Sequence, residues 1–180
     1  MTASETHSKV PDVAAGRIFL IGFMGTGKSH WGKIWAARHH YEFIDLDDAV
    51  EQDEQRSVTE IFESRGEDYF RQKEAIMLRS LLKHEHVIVA CGGGTACFFD
   101  NIIWMKNNGT VICLDAPPAT ILHNILTQEN KRPLVKNLNE AELLFFIEQK
   151  LAERQPFYTQ AHRTLQAQSL DALSLDTFIS

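Results

Sequence analysis

The sequence is poor in cysteine, and the three it has, Cys91, Cys97 and Cys113, are odd in number with no CxxC spacing. That excludes a disulfide framework and a zinc knuckle alike and leaves reduced, mostly buried thiols. The eight histidines form no HxxxH or HExxH set, so no imidazole-built metal centre is expected. Positive charge is short as well: 18 Lys and Arg face 24 Asp and Glu, a formal charge of -6. The broad basic field that sequence-independent nucleic-acid binding needs is therefore missing, and any affinity for a polyanion must be local. No apolar run approaches the roughly 20 residues of a membrane span, and Met1 to Gly16 lacks the apolar middle of a secretory signal. A soluble cytoplasmic protein is expected, with no membrane and no nucleic-acid partner.

What is present fits one globular domain: 180 residues, 44% hydrophobic and 23% charged. Residues 1–16 are mostly small or polar without periodicity and are expected to form a flexible extension, with the domain spanning 17–180. Short apolar runs predict strands at Arg17–Ile21, Phe43–Leu46, Val87–Cys91, Val111–Leu114 and Thr164–Gln168. They do not alternate cleanly, so most should be covered on both faces. Helical stretches lie between them, at Lys28–His39, Ser57–Leu82 with a break at Gly66, Pro117–Leu126 and Asn139–Arg154. Ser57 precedes Glu60 by three, and Asn139 precedes Glu142 by three, so two helices carry capping-box starts. Strands alternating with helices imply a three-layer α/β domain with a parallel sheet between helical layers. The one long internal connection, polar with a Lys-Arg-Pro centre at about 127–138, is placed as a lid.

Directly after the first strand, Gly22-Phe-Met-Gly-Thr-Gly-Lys28-Ser29 matches the G-x-x-x-x-G-K-[ST] phosphate loop and opens a helix, the context that motif requires. Its glycines permit close backbone approach to phosphate oxygens, and the helix adds its positive end. Lys28 would reach the β- and γ-phosphates and Ser29 would ligate magnesium. Switches, motors and small-molecule kinases all use this loop, so the destination of the phosphoryl group must come from elsewhere.

Asp45 and Asp47 close the second strand, and strand alternation puts both on one side at the carboxyl edge. One carboxylate near magnesium and one accepting an alcohol proton is the division phosphoryl transfer calls for; a helix N-cap cluster is the plainer reading. Arg71 and Glu74, taken alone, make an ordinary i,i+3 surface pair. Gly92, Gly93 and Gly94 at the third strand's end would free backbone N–H groups for a ligand, or form a loose turn. Arg132 falls in the long loop, and Arg154, near a helix end, could simply face that helix's negative pole.

In order, GFMGTGKS, FIDLD, GEDYFRQKE, CGGG, KRPLV and ERQPFY resemble the shikimate kinase family over residue 17 to about residue 158. The resemblance implies a P-loop kinase fold of the nucleoside-monophosphate-kinase type, with a five-stranded parallel sheet ordered 2-3-1-4-5. It implies transfer of the ATP γ-phosphoryl to the 3-hydroxyl of shikimate, with one Mg2+ per ATP, by a monomer. Carried onto this sequence, Gly25, Thr26, Gly27, Lys28, Ser29 and His30 hold ATP, and Ser29 holds the metal, with Asp45 acting through water. Asp47 binds the substrate hydroxyl and is the candidate base. Arg71, Arg154 and Gly92 to Gly94 line the acceptor pocket, Glu74 orients it, and Arg132 swings over the phosphates. A gluconate-type kinase would need other acceptor contacts, and a non-catalytic nucleotide-binding regulatory module would not need Lys28, Ser29, Asp45 and Arg132 together.

Two departures from the family lie on the adenine side. The arginine that the family commonly carries in the helix before the lid is absent from residues 121–126, and Arg163 is the last positive charge of the chain. The resemblance therefore assigns the acceptor end and leaves the adenine end without basic residues.

Overall fold

The computed structural model describes residues 16–127 and 138–179. The expected flexible extension, but for Gly16, and the lid with Arg132, but for its two end residues, lie outside the described residues.

Five parallel strands, β1 (Arg17–Ile21), β2 (Glu42–Asp45), β3 (Val87–Ala90), β4 (Thr110–Asp115) and β5 (Arg163–Gln166), form one sheet in the order β2-β3-β1-β4-β5. The near-continuous apolar runs are explained by burial on both faces: every residue of β3, and Ile18 to Ile21 of β1, is buried. Side chains alternate between two cores, as the pleat requires. Phe19, Ile21, Val87, Val89, Val111 and Cys113 point to one face. There they meet α3 (Val58–Ser80), α4 (Asn101–Asn108), α5 (Pro118–Thr127) and α6 (Glu140–Tyr158) through Leu78, Met105, Ile121, Leu143 and Ile147. Ile18, Leu20, Ile88, Ile112 and Leu114 point to the other, where α1 (Lys28–His39) supplies Trp35 and Ala36 and the C-terminal segment supplies Leu175. This is the expected three-layer arrangement. The edge strands β2 and β5 are only partly covered.

Both capping boxes form as their spacing predicts, with the Ser57 side chain accepting from Glu60 N–H and the Asn139 side chain from Glu142 N–H. The expected break at Gly66 is present: at φ 82 and ψ 169 the residue is non-helical, and α3 is two helical stretches joined across that kink. Differences fall where the signals are weak. The helices α2 (Leu46–Glu54) and α4 were not expected; each is short, and Asp100 before α4 makes no side-chain cap. The helix expected to end at Arg154 runs on to Tyr158, because Pro156 lies in its last turn and interrupts the ladder only there.

The strand order reverses at β1, which pairs with β3 on one side and β4 on the other. Ligands of such sheets sit beyond the carboxyl ends of the strands at that crossover. Here that is where the glycine loops after β1 and β3 lie.

Candidate active site

The phosphate loop is shaped by glycine where no other residue fits. Gly22 leaves β1 at φ 132, and a Cβ there would lie 2.3 Å from the Leu114 carbonyl oxygen. Gly27 caps α1 in the left-handed conformation and supplies no side-chain cap, and no acidic residue occupies the first turn. In contrast to α3 and α6, α1 has no side-chain cap among the described residues, the kind of helix start that suits an anion. Lys28 is 8% exposed, and its ammonium donates to the carbonyls of Gly22 and Phe23, each at 2.8 Å. Thr26 closes the loop from within, its buried hydroxyl donating to the Phe23 carbonyl at 2.8 Å.

Ser29 lies at the start of α1 and donates to Asp45 Oδ2 at 2.5 Å. The strand-alternation argument for the aspartates does not hold. β2 stops at Asp45, whose Oδ1 accepts from Asp47 N–H at 3.2 Å as the N-cap of α2. The cluster does cap a helix, with Asp45 and not Asp48 as the cap residue, and the turn into α2 is what brings Asp47 and Asp48 to the cleft. That cleft, about 440 Å³, is lined by Gly25, Gly27, Lys28, Ser29, His30, Asp45, Asp47, Gly92 and Gly93, together with Lys33, Asp48 and Cys91. Nine of the twelve were expected from the sequence. Lys33 was missed, although it lies four residues after Ser29 on the same face of α1. Burial raises the Asp48 carboxyl pKa, the charges of Asp45 and Glu51 add to it, and Lys33 opposes it.

The other end of the site is built on the glycine turn after β3. A Cβ at Gly92 would lie 2.6 Å from Glu74 Oε1 and 2.8 Å from Asp47 Oδ1; at Gly93, 3.2 Å from Arg154 Nη1; at Gly94, 2.7 Å from Arg71 Nη2. Three consecutive glycines thus let two carboxylates and two guanidinium groups, from α2, α3 and α6, converge on one stretch of backbone. The loose-turn reading fails on these approaches. So does the surface-pair reading: Arg71 is 5% and Glu74 0% exposed, and Arg71 Nη1 donates to Glu74 Oε2 at 2.9 Å. Burial lowers the Arg71 guanidinium pKa, and the carboxylates of Glu74 and Glu67 more than offset it, so it stands above its ordinary value. Phe98 and Phe70 lie 4.6 and 5.2 Å from its guanidinium carbon and fix the plane of the fork.

Arg154 lies over the Phe23 ring at 5.2 Å, and its Nη1 is buried with no hydrogen-bond partner among the described residues. A buried charged donor without an acceptor is costly, and an anionic ligand at the glycine turn resolves it. Tyr158 fixes the turn from the same helix, its hydroxyl donating to the Gly93 carbonyl at 2.6 Å. Burial raises its pKa well above the ordinary phenol value, so it donates as a neutral hydroxyl. The three thiols are inert by the same physics: burial raises Cys97 to about 11, Cys113 to about 12 and Cys91 well above its ordinary value.

A glycine loop opening a helix with a buried lysine, two aspartates lining the same cleft and an arginine pair against the glycine turn are the arrangement of a P-loop phosphotransferase of the small-molecule kinase class. Residues 24–178 match the shikimate kinase family, and the chain belongs to that family. A shikimate kinase of Phocaeicola vulgatus is 41% identical over 155 residues, 86% of this chain and 89% of that one. The crystal structure of shikimate kinase from Bacteroides thetaiotaomicron superposes with a TM-score of 0.84 at 36% identity, covering 91% of this chain and 94% of that one. A shikimate kinase from Acinetobacter baumannii, solved in complex with shikimate, gives 0.80 at 30% identity, covering 92% and 90%.

Proposed function

We propose that this chain transfers the γ-phosphoryl group of ATP to the 3-hydroxyl of shikimate, giving shikimate 3-phosphate and ADP in aromatic amino acid biosynthesis. The observation that carries the reading is the pair of arginines against the glycine turn, Arg71 buried and Arg154 half-buried, where Gly92 and Gly93 line the cleft that starts at the phosphate loop. Shikimate is a small carboxylate with ring hydroxyls. Arg71 and Arg154 offer planar forks to its carboxylate, and anchoring that end carries a ring hydroxyl toward Asp47.

In this mechanism the phosphate loop N–H groups and Lys28 hold the β- and γ-phosphates and stabilise charge on the transferring group. Ser29 and Asp45, hydrogen-bonded to each other, are neighbouring hard oxygen donors of the kind Mg2+ takes; Ser29 would hold the ion directly and Asp45 through water. Bound there, the ion neutralises phosphate charge. Asp47 accepts a hydrogen bond from the 3-hydroxyl and takes its proton as the oxygen attacks the γ-phosphorus and the bond to the β-bridging oxygen breaks. Alignment and electrostatics supply most of the acceleration, so an ordinary carboxylate suffices as base.

No helix among the described residues is long and apolar enough to cross a membrane. The proton acceptor, the phosphate loop and both clamp arginines come from one chain, so the proposed site is complete within a monomer. A gluconate-type acceptor also has a carboxylate, so the test compares acceptors: ADP release from Mg-ATP should rise with shikimate and not with gluconate. Equal stimulation by gluconate, or none by shikimate, overturns the assignment.

A further inference from the structure

Arg71 is the visible end of a longer buried chain of hydrogen bonds. Its partner Glu74 uses both carboxylate oxygens: Oε2 accepts from Arg71 Nη1 at 2.9 Å, and Oε1 accepts from the Thr95 hydroxyl. Thr95 directly follows the glycine turn, and its carbonyl accepts from Asn101 Nδ2 at 2.9 Å. Asn101 Oδ1 in turn accepts from Arg79 Nη1 at 2.8 Å, and the same Nη1 donates to the Ala75 carbonyl at 2.9 Å. Glu74, Thr95 and Asn101 are all 0% exposed.

This ladder joins α3 at two points, Glu74 and Arg79, to the turn after β3 and to the first residue of α4. A buried carboxylate oxygen left without a hydrogen bond is costly, and Thr95 supplies that bond on the side away from Arg71. With Oε1 fixed, Oε2 has one position, and the guanidinium plane that faces it has one orientation. Thr95 and Asn101 were not singled out from the sequence, and neither lines the cleft residues named above.

We propose that Thr95 and Asn101 are positioning residues for the acceptor: they hold the Glu74 carboxylate, and Glu74, together with Glu67, which accepts from Arg71 Nε and Nη2 at 3.1 and 3.0 Å, fixes the Arg71 guanidinium in the orientation that meets the acceptor's carboxylate. The inference rests on the shikimate reading of the site. It goes beyond that reading in making acceptor affinity depend on a hydroxyl and an amide that do not touch the acceptor.

The test is calorimetric titration of shikimate and, separately, ADP into wild type, Thr95→Val, Thr95→Ser and Asn101→Asp, with steady-state KM and kcat for both substrates. Thr95→Val keeps the shape and removes the donor, and should raise shikimate Kd and KM about tenfold or more, leaving ADP Kd within about twofold. Thr95→Ser restores the hydroxyl and should return shikimate affinity to within about threefold of wild type. Asn101→Asp removes the donor to the Thr95 carbonyl and should weaken shikimate in the same direction; it tests the ladder independently if Thr95→Val does not fold. Equal shikimate affinity in wild type and Thr95→Val, equal losses in the Val and Ser variants, or parallel loss of ADP affinity would overturn the inference. A wild-type chain that binds ADP but not shikimate would overturn the acceptor reading itself.

Discussion

Ser29 and Asp45 meet at 2.5 Å, hydroxyl to carboxylate, tying the first turn of the phosphate-loop helix to the end of the neighbouring strand β2. The contact ties the helix that follows the phosphate loop to an aspartate lining the same cleft. Asp45→Asn should keep the cap on α2, since Asn caps as well as Asp. It removes a negative charge, and turnover at limiting Mg2+ should fall more than turnover at saturating Mg2+. A variant whose Mg2+ dependence matches wild type would remove Asp45 from the metal's surroundings.

Lys28→Ala should lower kcat by about a hundredfold or more, because the buried ammonium is the loop's fixed positive charge beside the transferring group. The Gly22 and Phe23 carbonyls lose their donor as well, so a circular-dichroism melt must accompany the kinetics. Near-normal turnover from a folded variant would sink the phosphate-loop assignment.

Asp47→Asn should cost about a hundredfold in kcat, the usual scale for a positioned acid or base, with ADP Kd within about twofold of wild type. Unchanged turnover would strip Asp47 of its role as proton acceptor.

Gly94→Ala places a methyl group 2.7 Å from Arg71 Nη2, closer than real Cβ contacts come. The guanidinium must move, and shikimate KM should rise about tenfold with little change in the KM for ATP. Arg154→Ala should give the same split between substrates. Should either variant weaken ATP more than shikimate, the carboxylate clamp is assigned to the wrong end of the site.

His162 sets a lower pH bound on stability. Its Nδ1 accepts from Val111 N–H at 3.0 Å, which requires a neutral ring, and burial, then the charges of Lys106 and Arg163, lower its pKa below 6.5. A group depressed in the folded state contributes stability that is full above its unfolded pKa, declines as pH falls below that value and is lost once pH has fallen through the folded pKa. The melting temperature of wild type should therefore drop from pH 7.5 to pH 5.5 more steeply than that of His162→Gln. Parallel pH profiles would contradict this account.

Legibility in the sequence followed the range of the interaction. The phosphate loop and the two capping boxes are local in sequence, and all were placed correctly from spacing alone. The parallel sheet followed from alternating strands and helices, whereas its order 2-3-1-4-5 came from the family resemblance. What spacing could not supply was burial. Arg71 and Glu74 read as a surface pair because an i,i+3 spacing says nothing about the glycine turn that packs over them. Asp45 and Asp47 were placed correctly by a wrong route, since the strand ends at Asp45 and α2 begins. Lys33 was within reach of the helical period, whereas Thr95 and Asn101 gain their meaning only from partners on α3, at Glu74 and Arg79.

The most direct test is to incubate the purified chain with Mg-ATP and shikimate and to identify the product by mass and by phosphorus-to-proton coupling on the ring. A single phosphoryl group on the 3-hydroxyl, formed together with ADP, is the predicted result. ADP release that is indifferent to shikimate, or a phosphoryl group on another oxygen, would contradict the acceptor geometry assigned to Asp47, Arg71 and Arg154.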